Sequence, residues 1–167
     1  MKIYTKKGDK GRTDLLTKRV SKTDLRISVN GAFDEVMATL LLAKQKVRDP
    51  DIKNDLDHVY DLVFSICHEI ALIEASNHLI TDGMVLWMEK QIDVYDSKME
   101  PLHQFIKLDQ NEAASFLNLA RVTTRKAERE LSLLNEQENV NPKTLALVNR
   151  ISDYLFTIAR LHNEEKI

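Results

Sequence analysis

The sequence predicts an all-α protein, a five-helix antiparallel bundle formed by a single domain over residues 1–167. Three observations favour this fold. Gly (4) and Pro (3) are scarce, only 6% of the residues are aromatic, and apolar residues recur every three or four positions in five segments. A chain of this length makes one domain with a full core. We therefore expect residues 1–27 to form an N-terminal loop segment and residues 28–163 to form the helical bundle.

The charge and the cysteine content exclude several classes of protein. With 24 basic and 26 acidic residues the formal net charge is −2, so no overall field attracts nucleic acid or an anionic membrane, and any anion site must be local. Cys67 is the only cysteine, which excludes an internal disulfide and fits a reducing compartment. No stretch reaches the roughly 18 apolar residues of a membrane span. We expect a cytoplasmic protein that binds neither nucleic acid nor membranes.

Residues 3–17 are the least helical part of the chain. Residues 3–5 can pair briefly as a strand, and Gly8 and Gly11 then allow the backbone to approach a ligand closely. Hydrogen-bond donors occur throughout this stretch and beyond it: Thr5, Lys6, Lys7, Lys10, Arg12, Thr13 and Lys22. Such a loop suits a phosphate group. It lacks the spacing of a Walker motif, however, and an ordinary exposed turn has the same composition.

The first helix is predicted from residue 28 or 30 to residue 47 and is apolar on nearly all sides, which favours a central position in the bundle. Asp34 is the exception, because it shares a face with Met37 and Leu41, and an unpaired buried carboxylate is costly. Two interpretations stay open. Asp34 either lies in the first turn and interacts with the helix dipole, or it pairs with an arginine such as Arg121.

The second helix is predicted over residues 51–75, and residues 76–79 connect it to a third helix that is capped by Thr81 or Asp82. Three side chains of the third helix favour core packing over cofactor binding: Met84, Trp87 and Met88. The histidines of the second helix have no further potential ligand four residues away, so we predict no metal site there, at His58 or His68.

The fourth helix, read over residues 118–130, separates charged from apolar residues. Its charged face carries Arg121, Arg125, Glu128 and Arg129. Its opposite face, extended at both ends, carries Ala113, Phe116, Ala120, Ala127, Leu131 and Leu134. Three guanidiniums on adjacent turns repel one another unless an anion neutralises them, and arginine matches the geometry of phosphate or carboxylate. A solvated face that pairs internally with Glu128 is the alternative.

Two further segments complete the chain. Residues 102–115 form an irregular connection that includes Phe105, and most apolar residues in such a place tuck under a loop. A fifth helix is predicted over residues 144–163, where Asn149 and Asp153 interrupt the opening turns with polar groups.

Four segments together resemble the PduO-type ATP:cob(I)alamin adenosyltransferases. They are IYTKKGDKGRT at 3–13, RVSKTDLR and NGAFDEV within 19–36, NLARVTTRKAER at 118–129 and NRISDYLFTIAR at 149–160. Their order and spacing also match, and the resemblance covers almost the whole chain. It implies a five-helix bundle that assembles as a homotrimer with active sites at the subunit interfaces.

The resemblance implies an enzyme that transfers the 5′-deoxyadenosyl group of ATP to cob(I)alamin, or to cob(I)yrinic acid a,c-diamide, and releases triphosphate. ATP and the corrinoid are the substrates, and Mg²⁺ screens the phosphates. By this resemblance, one subunit holds ATP through Thr5, Lys6, Gly8, Asp9, Lys10, Gly11, Thr13 and Lys22. The neighbouring subunit contributes Arg125, Glu128, Arg129 and Asn149. Positive charge from two chains then meets on one leaving group.

The resemblance also implies catalytic roles for four residues. Arg125 stabilises the leaving group, and Asp34 and Arg121 form a salt bridge beside the corrin. Phe105 occupies the lower axial side of cobalt, where it displaces the nucleotide tail ligand, excludes water and favours a four-coordinate Co(II) that is easier to reduce. A cobalamin reductase or a B12-dependent acceptor enzyme is implied as a further partner.

The chain departs from the family pattern at several positions. Residues 16–17 replace a glycine pair, and residues 36–37 replace the end of an aspartate-glutamate-leucine-asparagine run. Lys126 replaces one arginine of a pair, and residues 107–110 replace a proline-glycine turn. Two alternatives therefore stay open. One is a divergent, non-catalytic relative that binds ATP or cobalamin as a sensor or carrier. The other is a helical interaction module whose arginine face meets an acidic partner, which leaves the glycine loop unexplained.

Overall fold

The computed structural model describes residues 2–72 and 78–164 of the chain. These residues form five α-helices and one two-stranded hairpin, which confirms the predicted all-α five-helix bundle. The elements are β1 (Arg12–Asp14), β2 (Arg19–Ser21), α1 (Leu25–Lys46), α2 (Pro50–Ala71), α3 (Asp82–Asp96), α4 (Glu112–Gln137) and α5 (Pro142–Glu164). No helix in the described ranges combines the length and the apolar character that a membrane span needs.

A side-chain cap fixes where α1 begins. The Asp24 carboxylate accepts a hydrogen bond from the backbone N–H of Arg26 at 3.0 Å, so the helix starts at Leu25, earlier than predicted. Asp34 therefore lies near the middle of α1, and the first turn holds no acidic residue. The interpretation of Asp34 as a first-turn residue is wrong, because the true cap lies well before it. With α5 ending at Glu164, the helical bundle also extends slightly beyond the predicted range at both ends.

The strand predicted at residues 3–5 is wrong, and the pairing lies further along the chain. β1 and β2 pair antiparallel inside the segment predicted to be loop. Val20 is buried against Ala71 at the end of α2, whereas Ile3 is fully exposed. Because a two-stranded hairpin is only marginally stable alone in water, this apolar contact with the bundle decides which residues pair.

α4 packs between α1 and α5, while α3 packs on α5 and α2 packs on α1. The predicted apolar face of α4 is buried, apart from the half-buried Phe116. Met88 is fully buried and Trp87 packs against the core, as predicted for α3. α1 is less enclosed than predicted, since Leu41 and Leu42 are 46% and 49% exposed. Among residues 2–72 and 78–164, nothing fully covers this apolar part of α1.

A buried carboxylate links the end of α2 to the start of α5. Glu69 accepts hydrogen bonds from the backbone N–H groups of Leu79 and Ile80 at 2.7 and 3.0 Å. The side chains of Asn141 and Thr144 also donate to it. Four donors offset the cost of burying this charge. The α2–α3 connection and the first turn of α5 are thereby held together.

α2 ends at Ala71, where the backbone N–H of the C-cap residue Leu72 donates to the carbonyls of His68 and Glu69. The prediction placed the end of this helix at residue 75. Ile73 and the first residues of the predicted 76–79 connection lie outside the described residues.

Candidate active site

The arginine patch, which we define as Arg125, Glu128, Arg129 and Asn149, lies where α4 meets α5. The structure brings these four predicted nucleotide-binding residues together. The Asn149 amide donates to Glu128 Oε1 at 3.0 Å, and Arg125 Nη1 lies 3.9 Å from Glu128 Oε2. Arg129 Nη1 donates to the backbone carbonyl of Arg125 at 3.1 Å. Both arginines are exposed, so their charge is accessible to an anion.

Arg150, which the sequence-based site lacks, supports the patch from α5. Its Nη1 donates to Asn149 Oδ1 at 3.1 Å and to Asp153 Oδ2 at 2.5 Å. Its Nε lies 3.3 Å from Glu89 Oε1 on α3. Because Arg150 occupies the carbonyl oxygen of Asn149, the amide N–H of Asn149 is directed to Glu128. The available signal was its position directly after Asn149, where polar residues interrupt an apolar helix.

The positive charge of this surface is only partly balanced. The distance of 3.9 Å between Arg125 and Glu128 is long for a charge-assisted hydrogen bond. Burial and, secondly, the charge of Arg125 lower the pKa of Arg121, which lies one turn earlier on α4. A neighbouring anion favours the charged form of such a group. The surface is therefore electrostatically suited to a polyanion.

The predicted salt bridge between Asp34 and Arg121 does not form within the described single chain. Arg121 Nε donates to Asn118 Oδ1 at 3.0 Å, and Asp34 is exposed on α1. Burial and, secondly, the negative charge of Asp34 raise the pKa of the Cys67 thiol to about 12, which places Asp34 close to α2. A pair between Asp34 of one subunit and Arg121 of another stays a prediction.

Phe105 projects into solvent at the mouth of a cleft. Its side chain is fully exposed, so it does not tuck under the loop. The cleft has a volume of about 550 Å³ and is lined by Leu102, Phe105, Ile106, Lys107, Leu108, Asp109, Asn118, Arg121 and Phe156. Phe105 and Arg121, which the sequence analysis places beside the corrin, therefore line the same cleft. Its walls combine apolar side chains with four charged or polar ones, from Lys107, Asp109, Asn118 and Arg121.

The N-terminal loop, defined as residues 5–13, is held mainly through its backbone. Arg19 Nη2 donates to the carbonyl of Lys7 at 2.5 Å. Gly11 has φ 72°, in the left-handed region that favours glycine, and Lys6 has φ 60°. A Cβ at Gly8 would lie 3.4 Å from Lys22 Nζ, so this lysine lies close over the loop. The other predicted ligands of the loop are exposed or half-buried: Thr5, Lys6, Asp9, Lys10, Gly11 and Thr13.

The loop and the arginine patch do not meet within one chain. Among the described residues, no hydrogen bond or salt bridge joins residues 5–13 or Lys22 to the patch. The hairpin lies at the bundle end where Arg26 of α1 pairs with Glu138, just after α4. Arg125 lies 13 residues earlier on the chain, roughly 20 Å along the helix axis. The two halves of the predicted nucleotide site are thus separate in a single subunit.

A sequence profile described as cobalamin adenosyltransferase matches residues 3–162. The chain belongs to this family. It is 33% identical to a corrinoid adenosyltransferase of Bacillus subtilis, over 98% of this chain and 87% of that protein. It is 35% identical to the corrinoid adenosyltransferase PduO of Salmonella typhimurium over 99% of this chain, and it spans 51% of that longer protein.

This cobalamin adenosyltransferase chain also has the fold of solved PduO-type proteins. A variant PduO-type ATP:co(I)rrinoid adenosyltransferase from Lactobacillus reuteri, complexed with ATP, gives a TM-score of 0.90 at 32% identity, covering 96% of this chain and 94% of that one. A second variant from that organism, complexed with cobalamin and ATP, gives a TM-score of 0.90 at 31% identity and covers 97% and 91%. The resemblance to the PduO-type family is confirmed.

Proposed function

We propose that this protein is an ATP:corrinoid adenosyltransferase that transfers the 5′-deoxyadenosyl group of ATP to cob(I)alamin. One observation carries the proposal: the chain follows a relative complexed with cobalamin and ATP over 97% of its length, at a TM-score of 0.90. Its own residues supply what the reaction requires, because a cationic patch lies on α4 and α5 and a cleft lined by apolar and polar side chains lies beside Phe105.

In the proposed reaction the electron pair of Co(I) forms a bond to C5′ of ATP. The bond between C5′ and the phosphate oxygen breaks, and its electron pair leaves with triphosphate. Adenosylcobalamin and triphosphate are the products, and cobalt is formally oxidised from Co(I) to Co(III). The protein must therefore orient C5′ toward cobalt and stabilise negative charge on the leaving group.

Arg125 and Arg129 would stabilise the departing triphosphate. Both guanidiniums are exposed on adjacent turns of α4, and Arg125 is only loosely paired with Glu128 at 3.9 Å. Charge-assisted hydrogen bonds from such groups are stronger than neutral ones. Asn149, held by Arg150, fixes Glu128 through the bond of 3.0 Å. The carboxylate would then orient Arg125 without neutralising it fully.

The N-terminal loop of a second subunit would hold the same nucleotide. Its lysines, its hydroxyls and the backbone near Gly8 and Gly11 offer donors to phosphate. Mg²⁺ would accompany ATP, because this ion is usually held by phosphate oxygens, water and one or two carboxylates. Asp9 is the exposed carboxylate of the loop and would meet it. Bound Mg²⁺ would screen the phosphate charge.

We propose a homotrimer for the same reason. Since the loop and the arginine patch are separate within one chain, a complete nucleotide site requires a neighbouring subunit. Leu41 and Leu42 of α1 and Phe64 of α2 are 46%, 49% and 58% exposed, and large exposed apolar side chains of this kind are available for contact with another subunit. Asp34 lies on this same helix and would reach Arg121 of the neighbour.

On the corrin side, Phe105 would occupy the lower face of cobalt and exclude water from it. Its full exposure fits a side chain that contacts a ligand rather than the core. Arg121 lines the same cleft and would pair with Asp34 beside the corrin. A cobalamin reductase would supply Co(I), and a B12-dependent enzyme would accept the product. These two proteins are proposed partners in a reducing cytoplasm.

A spectroscopic assay tests the proposal. Protein is mixed with ATP, Mg²⁺ and chemically reduced cobalamin, and the absorption change to adenosylcobalamin is followed with time. We expect the change to depend on both ATP and protein. ATP binding without the spectral change would instead favour a non-catalytic relative that acts as a sensor or carrier.

A further inference from the structure

Phe105 lies midway along a segment that is tied to α5 at both ends. We define the Phe105 segment as residues 100–110. At one end, Arg160 Nη2 donates to the backbone carbonyl of Glu100. At the other end, the backbone N–H of Gln110 donates to Asn163 Oδ1 at 3.1 Å. The two anchors on α5 are less than one helical turn apart.

The segment has few other attachments. Between the two ends, in residues 101–107, no hydrogen bond to the rest of the described chain is formed. Leu108 is buried and its carbonyl accepts from Ser115 Oγ at 3.3 Å. These contacts all lie on the C-terminal side of Phe105. On the N-terminal side, Arg160 is the one polar anchor among the described residues.

Arg160 is also unusual in its burial. The residue is 5% exposed, and its Nε donates to Glu164 Oε1 at 2.6 Å. A guanidinium at this depth is costly unless its donors are satisfied. The carbonyl of Glu100 and the carboxylate of Glu164 are the partners that satisfy it. The buried guanidinium of Arg160 therefore holds the Phe105 segment to α5 through the Glu100 carbonyl.

The position of Arg160 connects this anchor to the cleft. Phe156 lies one turn earlier on α5 and lines the cleft together with Phe105. The same helix thus forms one wall of the cleft and fixes the segment that forms another. The family pattern has a proline-glycine turn after the phenylalanine. In this chain residues 107–110 replace that turn. A buried anchor can limit the motion of the segment in its place.

We infer that Arg160 is a positioning residue that holds the Phe105 segment over the corrin cleft. The inference rests on the proposed function, because positioning of Phe105 matters only if the cleft receives a corrinoid. Arg160 is not among the residues that line the cleft. It acts through the backbone at Glu100, so its loss should affect the corrin step and leave nucleotide binding unchanged.

The test compares turnover with ATP affinity in Arg160→Met, which keeps the unbranched part of the side chain and avoids an unpaired buried charge. We expect kcat for cobalamin adenosylation to fall about tenfold, less than the roughly hundredfold loss that follows from an ångström of misplacement at a reacting centre. The Kd for ATP should stay unchanged. Arg160→Lys should recover part of the turnover, since an ammonium can still donate to the Glu100 carbonyl.

A second variant tests the opposite anchor. Asn163→Ala removes the acceptor for the Gln110 N–H at a half-buried position. The same split between turnover and ATP affinity is expected, with a smaller loss of kcat. This variant does not disturb a buried charge, so it should fold even if Arg160→Met does not.

Thr144→Val is the matched control on α5. It removes a buried hydrogen bond, from the Thr144 hydroxyl to Glu69, at the opposite end of the helix. It should lower the unfolding temperature without changing kcat. The inference is overturned if Thr144→Val reproduces the loss seen in Arg160→Met, or if Arg160→Met weakens ATP binding as much as turnover.

Hydrogen exchange separates this inference from the proposed function. The backbone N–H of Gln110, the amide of this segment that is hydrogen-bonded to α5, should exchange faster in Arg160→Met than in the unchanged protein, while amides of the α4 core should not. This readout needs no substrate. If the unchanged protein forms no adenosylcobalamin but the segment still loosens, then the proposed function fails and the anchoring holds. If the exchange rates are equal, the anchoring itself is refuted.

Discussion

The arginine patch and the N-terminal loop are proposed to hold one nucleotide, yet they are built in opposite ways. The patch lies on two packed helices, and its side chains contact one another through Asn149 and Arg150. The loop is exposed, contains two residues at positive φ and is held by a short hairpin. Among the described residues, none of its lysines forms a salt bridge with a carboxylate.

The two halves of the site are therefore organised at different stages, one before the nucleotide binds and one during binding. The patch is arranged before the ligand binds, so its interactions can act on the transition state without reorganisation. The loop must lose conformational freedom when it closes on phosphate, and that cost reduces the affinity it contributes. We therefore expect substitutions in the patch to affect catalysis and substitutions in the loop to affect mainly ATP affinity.

The largest effect is expected from Arg125→Ala. Loss of this guanidinium removes charge-assisted bonds to the leaving group, and kcat/KM for ATP should fall roughly a hundred- to a thousandfold. Steady-state kinetics of adenosylcobalamin formation measure this fall in kcat/KM. Lys126→Ala is the control, because Lys126 is adjacent in sequence but pairs with Glu35 of α1 at 2.6 Å. Equal kinetics in Arg125→Ala and the unchanged protein would mean that the patch is merely solvated.

The second-largest effect is expected from Phe105→Ala. Phe105 lies outside both halves of the nucleotide site. Removal of the ring admits water to the cobalt face, so turnover should fall roughly a hundredfold while ATP affinity stays the same. Parallel measurements of kcat and of the Kd for ATP compare the loss of turnover with the loss of ATP affinity. An equal loss in both quantities would contradict a role confined to the corrin.

A smaller effect is expected from Gly11→Ala in the loop. At φ 72° a Cβ costs about 1 kcal/mol although no atom lies within 4 Å of it, so ATP should bind several-fold more weakly. Gly8→Ala should weaken binding less, since it meets only the flexible end of Lys22. Gly83→Ala in α3 is the control. Calorimetric titration with ATP compares the three, and a loss in kcat alone for Gly11→Ala would reverse the proposed division between loop and patch.

The smallest effect is a change in backbone protection when ATP binds. Amides of the N-terminal loop should exchange more slowly with ATP present, because the loop becomes ordered around phosphate. Amides of α4 near Arg125 are already bonded within the helix and should change little. Hydrogen exchange with and without ATP measures both regions in one experiment. If ATP increased the protection of both regions equally, the patch would not be arranged before the ligand binds.

Much of this site could be predicted from residue spacing alone. The charges at Arg125, Glu128 and Arg129 share one face because helical periodicity brings residues three and four apart together. The first helix begins earlier than its apolar pattern indicates, because Asp24 caps it before the predicted start at residue 28 or 30. The strand at residues 3–5 was wrong because pairing depended on contact with α2, which local sequence does not contain.

By itself the sequence determined the five helices, the arginine face and the glycine loop, because each arises from interactions between residues close together in the chain. Only the tertiary structure decided that Arg150 directs Asn149 toward Glu128, that Arg160 anchors the Phe105 segment and that Phe105 is exposed. The contacts from Asn149 to Glu128 and from Arg160 to Glu100 join residues distant in sequence. They depend on how the helices pack, and residue spacing within one helix carries no information about its neighbour.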